Sequence, residues 1–144
     1  MRQGSLLDDT QVALSGLIPT LRASLGLALG QDEEGRKRLV DRLNMLCAQA
    51  GIKLTAGNAR SVSKDTVDKW VSPADRDHTP SVLAVVAVCM VTKNAEPLRL
   101  LARACGLDVI TQDERDILEY AKAELEEEAA RKRKHALRKR LNER

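Results

Sequence analysis

The sequence predicts an all-α fold, and three observations carry that prediction. Apolar residues recur at intervals of three and four along most of the chain, the spacing that gathers them on one side of a helix. Phe is absent, and Trp70 and Tyr120 are the large aromatics, so the core must be built from Leu, Val and Ala, which suits helix-on-helix packing better than a sandwich of alternating strands. Caps and breakers divide the chain into segments of helical length. At 144 residues it can hold one core plus an extension, since domains commonly contain about 100–150 residues.

Residues 1 to 9 carry no pattern and are expected to fray. From Thr10 to Leu29, Leu14, Ile18, Leu21, Leu25 and Ala28 follow one another at three or four residues. Pro19 predicts a kink, or a second helix that carries it in its first turn. With Arg22 as its single charge, this segment is too apolar to stand in water. It either covers the core of its own chain or packs against a second copy. The next helix is expected from Glu33 to Ala50, with Leu39, Leu43, Leu46, Cys47 and Ala50 inward, acidic residues at its positive end and Gly51 as its stop.

The stretch Leu54 to Pro73 has the punctuation of two short helices around a tight turn. Thr55 can cap the first, with Ala56, Gly57 and Ala59 giving the small side chains a close crossing requires. Ser61, Val62 and Ser63 form the turn, with Val62 as its inward plug, and Ser63 caps a second helix over Lys64 to Val71 that Ser72-Pro73 ends. Val67, Trp70 and Val71 point inward, leaving Lys64, Asp65, Asp68 and Lys69 outside. Such a surface is either an ordinary solvated face or a reading head for duplex DNA. Lysine reaches guanine or phosphate there, aspartate accepts from cytosine, and Ser61, Ser63 and Thr66 can reach phosphate or base edges. Arg76, the cation of the polar loop that follows, is a further candidate for DNA contact.

Thr79-Pro80 predicts a helix start, and the run Ser81 to Val91, apolar nearly all round, should be the central helix, with Val82, Val85, Val86, Cys89 and Met90 in the core. A helix from Pro97 to Ala104 follows, buried along Leu98, Leu101, Ala102 and Cys105 and closed by Gly106. Thr111 to Glu114 is a capping box, and no breaker follows, so one helix of about 30 residues, roughly 45 Å, should run from Gln112 towards Leu141. Ile117, Leu118, Ala121 and Leu125 are its expected docking stripe. Glu127 with Arg131 and Glu128 with Lys132 stand at i,i+4.

The chain therefore reads as all-α, a compact helix-turn-helix bundle at 31–110, between an apolar N-terminal helical segment at 1–30 and a long charged C-terminal helix at 111–144. Net charge is +3, yet eight Lys or Arg against Glu143 put 131–144 at +7 and leave the rest at −4. Basicity thus supports nucleic-acid contact only for the tail, where Arg131, Lys132, Lys134 and Arg138 are candidates for a phosphate-contacting arm. The same tail also reads as a self-stabilised helix in solvent.

The order of these parts, with VSKDTVDKWVSP, a proline-initiated helix and then EPLRLLARACG, resembles the lambda-repressor-like DNA-binding domains, and within them the small regulatory proteins of temperate phages and prophages. The resemblance covers about Glu33 to Gly106. It implies that the second motif helix enters the major groove through Lys64, Asp65, Asp68 and Lys69. It also implies a homodimer or higher homo-oligomer on double-stranded DNA, and repression or activation of transcription. A small-terminase-like packaging oligomer, or an adaptor that binds proteins, is the alternative.

No histidine stands near a nucleophile, and no glycine-rich phosphate loop or paired-carboxylate arrangement occurs, so the chain is read as a non-enzyme without cofactor. Cys47, Cys89 and Cys105 lack a CxxC spacing and are read as small buried hydrophobes, and no metal site is expected. The longest apolar run is half a membrane span, and no signal peptide is visible, which predicts a cytoplasmic protein off the membrane.

Overall fold

Four helix starts are set by one local device, a side-chain oxygen that accepts from the amide three residues on. Asp32 accepts from Gly35, Ser63 from Thr66, Ser81 from Ala84 and Thr111 from Glu114. Each cap is worth about 1 kcal/mol. The computed structural model describes residues 14–55 and 59–144. Its helices are α1 (Leu17–Leu29), α2 (Glu33–Ala50), α3 (Lys64–Val71), α4 (Val82–Thr92), α5 (Glu96–Ala104) and α6 (Gln112–Asn142). There is no strand among the described residues, and the all-α prediction holds. Two compact units divide the chain, one ending at Val109 and the other spanning Ile110–Arg144.

In the first unit α4 is the centre. Ala84, Val85, Ala87, Val88 and Cys89 are buried on it, and α1, α2 and α5 all pack against it. Two expected core residues are not there: Val82 is 78% exposed and Met90 59%. A helix apolar on every side has no face that its sequence can single out. It also starts two residues later than Thr79-Pro80 suggests, because Ser81 makes the cap and Pro80 is buried instead.

Pro19 lies in the first turn of α1, which begins after Gly16. The buried stripe of α1 is Leu21, Arg22, Leu25 and Leu29, while Leu14 and Ile18 are exposed and Ala28 is half-buried. Since α1 packs on α3, α4 and α5, the apolar segment covers the core of its own chain. On α2 the inward residues are Val40, Leu43 and Cys47, with Leu39 and Leu46 partly buried and Ala50 exposed. Gly51 closes α2 in the left-handed region at φ 66°, and the Ile52 amide returns to the Cys47 carbonyl at 3.0 Å. The same closure ends α5, where the Leu107 amide reaches the Ala102 carbonyl at 3.0 Å.

A predicted element also fails in this unit. The described residues Thr55, Ala59 and Arg60 are not helical, so the short helix expected from Thr55 is not found among the described residues of the connector before α3. Leu54 and Val62 anchor that connector in the core at 7% and 5% exposure. Small residues and serines there favour turn and connector geometry as readily as helix. The expectations for Ala56, Gly57 and residues 1–13 lie outside the described residues. Cys105 is a second correction: it is exposed as the cap of α5, whereas Cys47 and Cys89 are buried and their thiols pushed up by desolvation.

The second unit is α6 with its cap. Thr111 and Glu114 make both bonds of the capping box, and the ion pairs Glu127 with Arg131 and Glu128 with Lys132 form as their spacing predicts. No residue of α6 is buried, and Ile117, Leu118, Ala121 and Leu125 are exposed.

Candidate nucleic-acid interface

An eight-residue helix does not hold its shape alone, because the cost of its first turn is not recovered over so short a length. What orders α3 is its surroundings. Val67 is fully buried and Trp70 is 3% exposed, and together they fix its inner face. Ahead of it, the Asn44 side chain of α2 pairs with the backbone of Val62, donating to its carbonyl at 2.9 Å and accepting from its amide at 2.7 Å. The residue before the Ser63 cap is thereby held in place.

Arg22 holds the other end. Its guanidinium is buried and donates to the carbonyls of Lys69 at 2.5 Å, Trp70 at 3.2 Å, Ser72 at 3.2 Å and His78 at 3.3 Å. The first two belong to the last turn of α3, the Lys69 carbonyl also accepting from the Ser72 amide, and positive charge is favoured there by the helix dipole. The Asp75 carboxylate orders the loop beyond, accepting from the amides of Asp77 and His78 and meeting the His78 ring at 3.0 Å. Burial pushes that carboxyl up, and these hydrogen bonds outweigh it, so Asp75 titrates below its ordinary range.

With both ends and the back fixed, Ser61, Ser63, Asp65 and Lys69 remain exposed. Lys64, Thr66 and Asp68 are half-buried. The structure joins two of these with a residue from α2: Asp68 accepts from Lys64 at 2.9 Å and from Arg36 at 2.8 Å. Arg36 also donates to the Gly30 carbonyl at 2.6 Å, tying the end of α1 to α3. Burial presses the Asp68 carboxyl upward, but the bonds from Lys64 and Arg36 prevail and hold it below its usual value. The bond to Asp68 in turn raises the Lys64 ammonium. One of the two aspartates on this face is therefore neutralised locally, and its neighbours set its direction. Ser63 and Thr66 are also paired, their hydroxyls 3.1 Å apart. Arg76 lines a surface pocket of about 340 Å³ with Ile18, Pro19, Arg22, Pro73, Asp75 and Thr79. Arg131, Lys132, Lys134 and Arg138 are all exposed on α6, the first two paired with glutamates.

The charge pattern sets a pH dependence. Asp68, with its lowered folded-state value, stabilises the fold above about pH 3.9, its unfolded value, and that contribution is lost as pH falls through the lower folded value. Lys64, raised, contributes below about pH 10.4 and loses this as pH climbs through its higher folded value. Asp68→Asn is thus expected to be less stable than wild type by a constant margin across neutral pH, and the margin should close on acidification below about pH 4. Urea titrations at a series of pH values measure it. A margin unchanged at about pH 2 would assign the cost to packing instead of charge.

Arg22, Arg36 and Asn44 carry no local signature of a site. Arg22 alone gave a signal, as the single charge in an apolar segment. Among the described residues no group of His, Cys, Asp or Glu could hold a metal ion, and no helix is long and apolar enough to cross a membrane. Comparison with protein-family models, with curated proteins and with solved structures finds no match for the chain.

Proposed function

We infer that the protein is a sequence-specific DNA-binding transcription regulator of the phage or prophage type, acting as a homodimer that presents α3 to the major groove of duplex DNA. The observation that carries this reading is the way α3 is held. Val67 and Trp70 fix it from behind and Arg22 fixes its end, while Ser61, Ser63, Asp65 and Lys69 are left open to solvent. A short helix fixed on every side but one is what base readout requires, since hydrogen bonds to base edges discriminate only from a rigid support. Lys64 and Lys69 supply the positive charge for guanine or phosphate, Asp65 is the acceptor for a cytosine amino group, and Ser61 and Ser63 reach phosphate. Asp68 serves by orienting Lys64.

Selection of bound fragments from random duplexes tests the reading. Wild type is expected to enrich one sequence. Lys64→Ala and Lys69→Ala should each weaken binding by about 1–3 kcal/mol where the lysine bonds to a base edge, with relaxed choice at the corresponding position. Lys69→Ala should keep the stability of the first unit, and Lys64→Ala should lose only what its pair with Asp68 contributes. Undiminished selectivity in both would place the reading surface elsewhere or remove it.

A further inference from the structure

Charge along α6 is segregated by sequence and not by face. Residues 112–130 hold eight carboxylates against Arg115 and Lys122, and residues 131–144 hold eight bases against Glu143. Within this helix one stripe keeps an alternating spacing of three and four over most of its length. Tyr120, Ala123, Ala130, Leu137 and Leu141 lie on it, with Glu127 and Lys134 filling the two remaining places. Tyr120, Leu137 and Leu141 are 67%, 46% and 69% exposed, so the stripe is uncovered in the single chain. The positions that border it follow a simple rule: Glu119, Glu124 and Glu126 in the first half, and Arg131, Arg133, Arg138 and Arg140 in the second.

We propose that α6 is a dimerisation element that pairs antiparallel with α6 of a second copy, about an axis between residues 128 and 129. In this register Tyr120 packs on Leu137 of the second copy. The two long charged side chains of the stripe, Glu127 and Lys134, meet Ala130 and Ala123, whose small side chains leave room for their stems. Six of the seven bordering charges then match: Glu119 meets Arg140, Glu126 meets Arg133 and Glu124 meets Arg131, and two-fold symmetry repeats each pair, while Arg138 falls opposite Ile117. Glu124 already accepts from the Tyr120 hydroxyl at 3.2 Å, which holds its carboxylate beside the stripe. A parallel pairing of the same helices would set Glu119 against Glu124 and Arg133 against Arg138, so the charges select one orientation. The apolar contribution is small, and charge complementarity makes up most of the attraction. The inference deepens the homodimer of the reading above by naming its surface, but it does not require DNA. A protein that stays monomeric and still selects a duplex would overturn this proposal and the homodimer with it, while leaving the reading of duplex DNA by α3 intact.

Sedimentation of the full chain is the test. At about 0.05 M salt the mass should be about twice 15.9 kDa, and it should fall towards a single chain at about 1 M, where the screening length is about 3 Å. Glu119→Arg with Glu126→Arg should weaken association at least about tenfold, and adding Arg133→Glu and Arg140→Glu should restore it. Orientation is read by oxidative cross-linking in a Cys105→Ser background. Chains carrying Ala123→Cys and chains carrying Lys134→Cys should cross-link when mixed and not when separate. A monomer at low salt, a dimer indifferent to salt and to both charge changes, or cross-linking of Ala123→Cys chains among themselves would each overturn the proposal.

Discussion

Arg22→Ala is expected to lower the unfolding free energy of the first unit by about 3 kcal/mol, and to abolish DNA selection along with it. Four carbonyls converge on this guanidinium, and two of them belong to the last turn of α3. A hydrogen bond to a charged group is worth about 1.5–3 kcal/mol, but the four share one side chain and cannot be summed. The Lys69, Ser72 and His78 carbonyls are only partly buried and would recover water after truncation, whereas the Trp70 bond is buried and its carbonyl would be left unpaired. That difference sets the estimate near the value of one charged bond plus one orphaned group. Arg22→Lys is the informative companion. Its ammonium keeps the charge near the end of α3, yet a single nitrogen cannot span four acceptors that a planar fork reaches, so about half of the loss should remain. Denaturant unfolding followed by Trp70 emission measures both. If Arg22→Ala unfolded within about 0.5 kcal/mol of wild type, the clamp would be a bystander, since changes of that size are ordinary for surface positions.

The contrast between Arg22 and the caps explains what could be read from the chain directly. The starts of α2, α3 and α6 were legible because Asp32, Ser63 and Thr111 act on amides three residues away, inside any short window. The ends at Gly51 and Ser72 were legible for the same reason. Arg22 acts on residues 47 to 56 positions later, and no local pattern announces such a partner. Arg36 reaches Asp68 across 32 positions, so a face that reads as four independent charges turned out to contain a triad. The inward set of α4 was unreadable for a different reason: a helix apolar all round offers no contrast between faces, and only the neighbours it meets decide that Ala87 is buried and Met90 is not. The missing first motif helix belongs to a third kind. Between Gly51 and Ser63 the sequence contains small and hydroxyl residues that permit a helix without enforcing one, and what anchors the segment is the burial of Leu54 and Val62.

The largest effect is expected at Trp70. Trp70→Ala should cost about 3–5 kcal/mol, the range for removing a buried large aromatic, and a domain stable by about 5–15 kcal/mol would be brought near the limit of folding. The side chain is 3% exposed and lies one turn beyond Val67, so it occupies the space between α3 and the core that no other aromatic in the chain can fill. With it gone, Val67 would be the one fully buried side chain left on an eight-residue helix, beside the partly buried Val71 and the polar ties from Arg22 and Arg36, and a helix of that length has little order of its own. Trp70→Phe should recover roughly half of the loss, because it restores ring volume but leaves a void where the indole extended. Since the substitution removes the fluorophore, circular dichroism must follow the unfolding. The signal of α6 should persist after the first unit melts, which would make the transition incomplete in amplitude. The comparison with Lys69→Ala then separates support from readout: that change should reduce DNA selection at full stability, while Trp70→Ala should remove both together. A Trp70→Ala protein that melted within a few degrees of wild type would mean that α3 is held by something other than its buried face, and the placement of the reading surface would fall with it.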